Sequence, residues 1–228
     1  MRALPGKESR LPPGPLPVTR DAAPADQRRR IVKAAAELIA KRGYQGTSAE
    51  LIVRRAKVGY TTFYKHFGDK EECLLALFDE AAAVGEQAVE DAYQQTEGSW
   101  PEKVAAGLSA LFEQILAHPT VARVCLVETL TAGPAAVARY EAALRSFEPM
   151  LRPGRKCNPR GEQLPDTLEA TVGGGVLWVA YQRLIVGEAD KLPDLLPETV
   201  EFVLTPYVGE AEAVRVADEL LDRAPAAT

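Results

Sequence analysis

The chain has 228 residues, 46% apolar and 26% charged, the composition of an ordinary soluble globular protein long enough for one or two domains. No stretch approaches the roughly 20 apolar residues needed to cross a bilayer, and the N-terminus lacks the apolar segment of a secretory signal. The three cysteines, Cys73, Cys125 and Cys157, have no C-x-x-C spacing, which argues against a disulfide framework or a zinc site and suits a reducing cytoplasm. The formal charge of −5 disguises two opposite segments: residues 1–70 sum to +9 and residues 71–228 to −14. That asymmetry is the mark of a basic, polyanion-facing module joined to an acidic body.

Residues 1–25 hold six of the 17 prolines and no periodic apolar positions, so they read as a disordered tail. From Asp26, a candidate N-cap, Ile31, Ala34, Ala35, Leu38 and Ile39 recur at helical spacing until Gly43 supplies a left-handed stop. Arg28, Arg29, Arg30 and Lys33 surround that stripe as a basic face. Thr47-Ser48-Ala49-Glu50 has the form of a capping box with Thr47 as cap, opening a second helix that runs to about Ala56. Lys57-Val58-Gly59 reads as a turn, and a third helix runs from Tyr60 to about Phe67. Asp69 caps a long fourth helix that reaches about Tyr93. Further helices are expected near 100–117, 119–131, 134–150, 163–188, 196–207 and 209–224, separated by Pro and Gly breaks. No alternating β-branched run competes, so the fold class is all-α: a tail over 1–25, a three-helix head over 26–72 and a helical body over 73–228.

Thr47–Lys70, TSAELIVRRAKVGYTTFYKHFGDK, places two short helices around a three-residue turn, the helix-turn-helix unit whose second helix can enter a major groove. Phe63 and Phe67, four apart, turn one face inward. Tyr60, Thr61, Tyr64 and Lys65 are left on the open side with His66 at its edge, groups suited to phosphates and base edges.

The residue string itself resembles the DNA-binding domain of the TetR family of transcriptional regulators, across roughly residues 28–75. That family's pattern is I-x-x-A-A-x-x-L-x-x-x-x-G-[YF], then T-[ST]-x-x-x-I-A-x-x-A-G-V-S-x-G-[TS]-[LF]-Y-x-H-F-x-[DN]-K-E-x-L. Ile31, Ala34, Ala35, Leu38, Gly43, Tyr44, Thr47, Ser48, Ile52, Ala56 and Val58 match it, as do Thr62, Phe63, Tyr64, His66, Phe67, Asp69, Lys70, Glu71 and Leu74. Val53, Lys57, Gly59 and Thr61 depart from it. Lys57 stands where the family has a residue suited to positive φ, and Gly59 forfeits a side-chain cap. The resemblance implies that Thr47 and Ser48 contact phosphate and that Tyr60, Thr61, Thr62 and Lys65 read base edges. It also implies that Tyr64, His66 and Lys70 anchor flanking phosphates on a palindromic double-stranded operator.

For the acidic body the resemblance implies a homodimer and a cavity for a small-molecule effector. Phe112, Tyr140, Phe147, Trp178 and Tyr181, with Trp100, are the aromatic candidates for lining it. The excess of Asp and Glu favours a neutral or cationic effector over an anionic one. Gly173-Gly174-Gly175, each about 1 kcal/mol less helix-favouring than Ala, points to close packing at a dimer interface or to a bend beside a cavity. Gly173, Gly174, Val176, Val203 and Tyr207 are the interface candidates. No cofactor, metal or membrane is implied. Two other readings stand beside the regulator: a redox-sensing or architectural DNA binder without a small-molecule pocket, with Cys125 the candidate sensing thiol, and a helical enzyme. Against the enzyme, the chain holds only two histidines, His66 and His118, and no nucleophile elbow, metal spacing or phosphate loop.

Overall fold

The computed structural model describes residues 22–223 as helices joined by tight turns, with no strand among them. The tail expected over 1–25 lies mostly outside the described residues; its last four are already helical. Helix α1 is Ala22–Arg42, so Asp26 lies within the helix and pairs with Arg29 at 2.6 Å rather than capping it. Gly43 ends α1 at φ +74°, as its position implies.

Helix α2 is Ala49–Ala56 and α3 is Tyr60–His66. Lys57 between them sits at φ 55° and ψ 48°, the left-handed geometry that disfavours a side chain. Arg30 of α1 braces that turn, donating to the carbonyls of Ala56 at 2.6 Å and Lys57 at 2.9 Å. Asp69 caps α4, Lys70–Gln95, by accepting from the Glu72 amide at 2.8 Å. A boundary at residue 72 therefore falls inside α4. The head's core takes in Cys73, Leu74 and Leu77 from α4, and also Val124 from the body.

The body comprises α5 (Trp100–Ala117), α6 (Pro119–Arg123), α7 (Pro134–Ser146), α8 (Glu148–Leu151), α9 (Leu168–Val186), α10 (Leu196–Val208) and α11 (Glu210–Arg223). Its core centres on Phe112, Val176, Val200, Val203, Leu204 and Tyr207. The stretch expected as one helix over 119–131 widens at Val124–Glu128 into a π-helical turn. There the buried Thr129 hydroxyl donates to the Val124 carbonyl at 3.0 Å. The expected 134–150 helix breaks at Phe147, because the ring of Pro149 cannot follow an uninterrupted helical turn. The expected 163–188 helix starts only at Leu168. Pro165 disfavours helical geometry at Leu164, and Arg155 takes the carbonyls of Leu164 and Pro165 at 3.0 and 2.6 Å.

Candidate DNA interface and ligand cavity

Helix α3 buries Phe63 and Phe67 in the head and exposes the other face, Tyr60 at 51% and Tyr64 at 56% of their full surface. Thr61 and Lys65 are exposed beside them and Thr62 is half-buried. Ser48, exposed, caps α2 by accepting from the Leu51 amide at 3.3 Å, so the cap lies one residue later than the capping box implies. These residues share the open side of the helix-turn-helix.

Three residues expected on phosphates are turned inward instead. Thr47 is 2% exposed and donates its hydroxyl to the Gly43 carbonyl at 2.9 Å, closing the loop after α1. Lys70 directs its ammonium at the carbonyls of Tyr44 and Thr47, both at 2.9 Å, and lies 4.1 Å over the Tyr44 ring. That ammonium is held by the same loop. His66 is half-buried beside Phe67, with Nε2 shielded from solvent and without a hydrogen-bond partner among the described residues. The basic face is also partly committed internally: Arg28 pairs with Glu80, Arg55 with Glu37, and Arg30 braces the turn.

Beyond the head, a cavity of about 340 Å³ opens between α4, α5, the α6–π segment and α7. Phe78, Ala81, Gly85, Ile115, Leu126 and Tyr140 give it an apolar wall. A second space of about 60 Å³ adjoins it, Leu111, Phe147 and Leu177 lining both. Of the aromatic candidates, Tyr140 and Phe147 line the larger cavity. Burial raises the Tyr140 phenol above its ordinary value. Phe112 is core and Trp100 packs edge-on against Tyr207 at 5.2 Å, giving its indole N–H to the Met150 carbonyl at 2.9 Å. Trp178 and Tyr181 stack on each other at 5.2 Å on the outer face of α9, away from the cavity. The main wall is α4, which composition does not single out: Ala81, Ala82 and Gly85 make room by being small. Cys125 also lines the cavity, and burial pushes its thiol up to about 12, which leaves little thiolate for redox chemistry near neutral pH.

The interface candidates divide as well. Val176, Val203 and Tyr207 are 0–4% exposed in the chain's own core, where a second chain cannot reach them. Gly173 packs on Leu144 of the same chain, while Gly174 has no atom near its missing side chain. Gly175 gives room to Phe202: a Cβ there would lie 2.7 Å from that ring. Phe202 and Trp178 are nonetheless 50% and 57% exposed, an uncovered aromatic face across α9 and α10.

Cavity and head share structural parts. Leu77 belongs both to the head's core and to the cavity wall. In the π segment Cys125 and Leu126 face the cavity, while Val124 packs into the head. Glu128 of the same segment accepts the Tyr44 amide at 3.0 Å, and the Thr131 carbonyl accepts Gln45 Nε2 at 3.0 Å.

Residues 31–77 match the family described as bacterial regulatory proteins, tetR family. The fold is similar to that of the fatty acid degradation regulator FadR from Bacillus halodurans: TM-score 0.69, 20% identity, covering 78% of this chain and 94% of that one. It is similar also to the transcriptional regulator FadR from Bacillus subtilis in complex with stearoyl-CoA, with TM-score 0.66, 19% identity, and 78% and 97% of the two chains covered. A transcriptional regulator of the TerR/AcrR family from Aquifex aeolicus VF5 is 26% identical, with TM-score 0.58 over 77% of this chain and 96% of that one. The chain thus carries a tetR-family DNA-binding head over residues 31–77, on a fold similar to that of these regulators.

Proposed function

We propose that the protein is a cytoplasmic, homodimeric operator-binding repressor whose DNA affinity is set by a small molecule in the α4–α7 cavity. The observation that carries this reading is that one helix, α4, contributes Leu77 both to the core of the DNA-binding head and to the wall of the cavity. A ligand that spreads the cavity must move α4 or the π segment, and the head is fastened to both. The ligand then favours whichever head spacing suits it, and it shifts the equilibrium only by its difference in affinity for the two states. The stearoyl-CoA complex of the Bacillus subtilis neighbour supports a ligand-filled body in this fold.

The proposed reading face is Ser48, Tyr60, Thr61, Thr62, Tyr64 and Lys65, with α3 in the major groove. The proposed dimer surface is the outer face of α9 and α10, with Gly174, Trp178, Tyr181 and Phe202. No single helix among the described residues is long and apolar enough to cross a membrane.

The test is selection from random duplexes by the full-length chain. The expected result is a palindrome whose half-sites are spaced by one or more helical turns, about 34–36 Å per turn. Recovery of no preferred sequence would overturn the regulator reading.

A further inference from the structure

We infer that the effector is an elongated apolar molecule with a cationic head, an alkyl- or arylalkyl-ammonium, and not a fatty acid or acyl-coenzyme A. This inference rests on the ligand-controlled reading above and adds the chemistry of the ligand. The first observation is the shape of the wall. From Leu77 to Glu86 the cavity runs along α4 for nine helical steps, about 13 Å at 1.5 Å per step. Along that length Leu77, Phe78, Ala81, Ala82 and Gly85 offer nothing that hydrogen-bonds through its side chain. From the other sides Leu111, Ile115, Val121, Leu126 and Leu177 close on the same space. Such a slot rewards burial of a chain or rings by the hydrophobic effect and orients nothing along its length.

The second observation is charge. Among the described residues that line either cavity, Glu80 and Glu86 are the acidic ones and His118 is the one basic side chain; neither Lys nor Arg occurs. Glu86 accepts from the Ser146 hydroxyl at 2.8 Å, which leaves acceptor capacity over. Glu80 pairs with Arg28, whose guanidinium also lies 5.4 Å over the Phe67 ring. Arg28 is therefore already engaged by the head and by that carboxylate. A carboxylate or phosphate ligand would leave water to meet the Glu86 carboxylate and the Arg28-paired Glu80, with His118 as the one basic side chain in the wall. Stearoyl-CoA, the ligand of the Bacillus subtilis neighbour, would add its phosphates to a body that carries −14 over residues 71–228. An ammonium meets the reverse: the Glu86 carboxylate, the Arg28-paired Glu80, the Tyr140 ring, whose face attracts cations, and Gln114 as a neutral acceptor. Attraction and repulsion of this kind act most strongly where the apolar wall has displaced water.

The experiment is calorimetric titration of the full chain with four probes of one chain length, each below its aggregation threshold: decylammonium, decanol, decanoate and decanoyl-coenzyme A. Decylammonium is expected to bind at least tenfold more tightly than decanoate, decanol to fall between them, and decanoyl-coenzyme A to give no measurable heat. In the double variant Glu80→Gln, Glu86→Gln, the advantage of decylammonium over decanol is expected to shrink to within twofold, with decanol binding as the check that the cavity is intact. Decanoate or decanoyl-coenzyme A binding as tightly as decylammonium, a preference that survives the double variant, or no binding by any probe would each overturn the inference. Duplex selection on the same preparation separates the two readings: selected DNA without ammonium binding rejects this ligand class alone, whereas ammonium binding without selected DNA rejects the regulator.

Discussion

Lys65 and Lys70 are close in sequence, yet their ammonium groups meet different surroundings. Lys65 is exposed on the open side of α3, while Lys70 is folded under the α1–α2 loop with two carbonyls and an aromatic ring as partners. Substituting them should therefore separate binding from stability. Lys65→Ala and Tyr64→Ala are each expected to weaken operator binding about tenfold, in keeping with the roughly 1–3 kcal/mol of a specific contact, with little change in melting temperature. Lys70→Ala is expected to lower the melting temperature, because the Tyr44 and Thr47 carbonyls lose their shared donor. Mobility shift and thermal melting on the three variants check this, and undiminished DNA affinity for both Tyr64→Ala and Lys65→Ala would sink the assigned reading face. The inward faces of α3 were legible from the spacing of Phe63 and Phe67. The roles of Thr47 and Lys70 were not, because they depend on how the loop at residues 43–47 folds back, which no local pattern encodes.

A second residue-scale test lies in the body. Glu169 is buried, and Arg155 donates to both of its oxygens at 2.7 and 2.9 Å. Those hydrogen bonds hold the Glu169 carboxyl below its usual range despite burial. A carboxylate with a depressed folded value stabilises the fold fully above its unfolded value, about 4.3, and loses that contribution as pH falls through the folded value. Glu169→Gln is thus expected to lower the melting temperature by several degrees at pH 7. The gap from the parent protein should close as the pH is taken below about 4. A gap independent of pH in melts between pH 7 and 3 would show that the ion pair is not its source.

At the scale of elements, α4 is where expectation and structure agree on the helix but differ on its use. Asp69 announced its start, and Cys73, Leu74, Leu77 and Phe78 form its buried face at that end. The cavity wall went unread because aromatic residues mark where volume is filled, whereas a cavity lies where volume is missing. Trp178 and Tyr181, chosen for their size, turned out to be on the outside; Ala81, Ala82 and Gly85 frame the space. The π turn at Val124–Glu128 was equally hidden, since its wide geometry depends on a buried threonine hydroxyl reaching back five residues. Gly85 provides the test. It lines the cavity, and a Cβ there would meet no atom within 4 Å. Gly85→Leu should gain roughly 1 kcal/mol from helix propensity alone and fill part of the space. The expected outcome is a higher melting temperature together with at least a tenfold loss of decylammonium affinity. Loss of stability would show that the space is already occupied by moving side chains; retained affinity would place the ligand elsewhere.

On the scale of the whole molecule, the net charge of −5 averages a head that needs polyanion contacts and a body that does not. On the proposed reading, the acidity of the body repels a duplex and confines docking to α3 and its neighbours. A single head buries too little to select a site by itself, and a palindromic operator demands two heads at fixed separation. The surface proposed for pairing is the outer side of α9 and α10, where Phe202 lies over Gly175 and Trp178 stacks on Tyr181 with no covering element among the described residues. Monomeric proteins rarely leave contiguous apolar area of this kind to water. Because Trp178 and Phe202 are half exposed, changing both to Glu should leave the chain's own core intact, unlike changes at Val176, Val203 or Tyr207 inside it. The double variant Trp178→Glu, Phe202→Glu is expected to sediment as a folded monomer. It should lose selective operator binding while keeping decylammonium affinity, since the cavity is built within one chain. A variant that still sediments as a dimer would move the interface to another face, and a monomer that still selects the full palindrome would remove the need for pairing altogether.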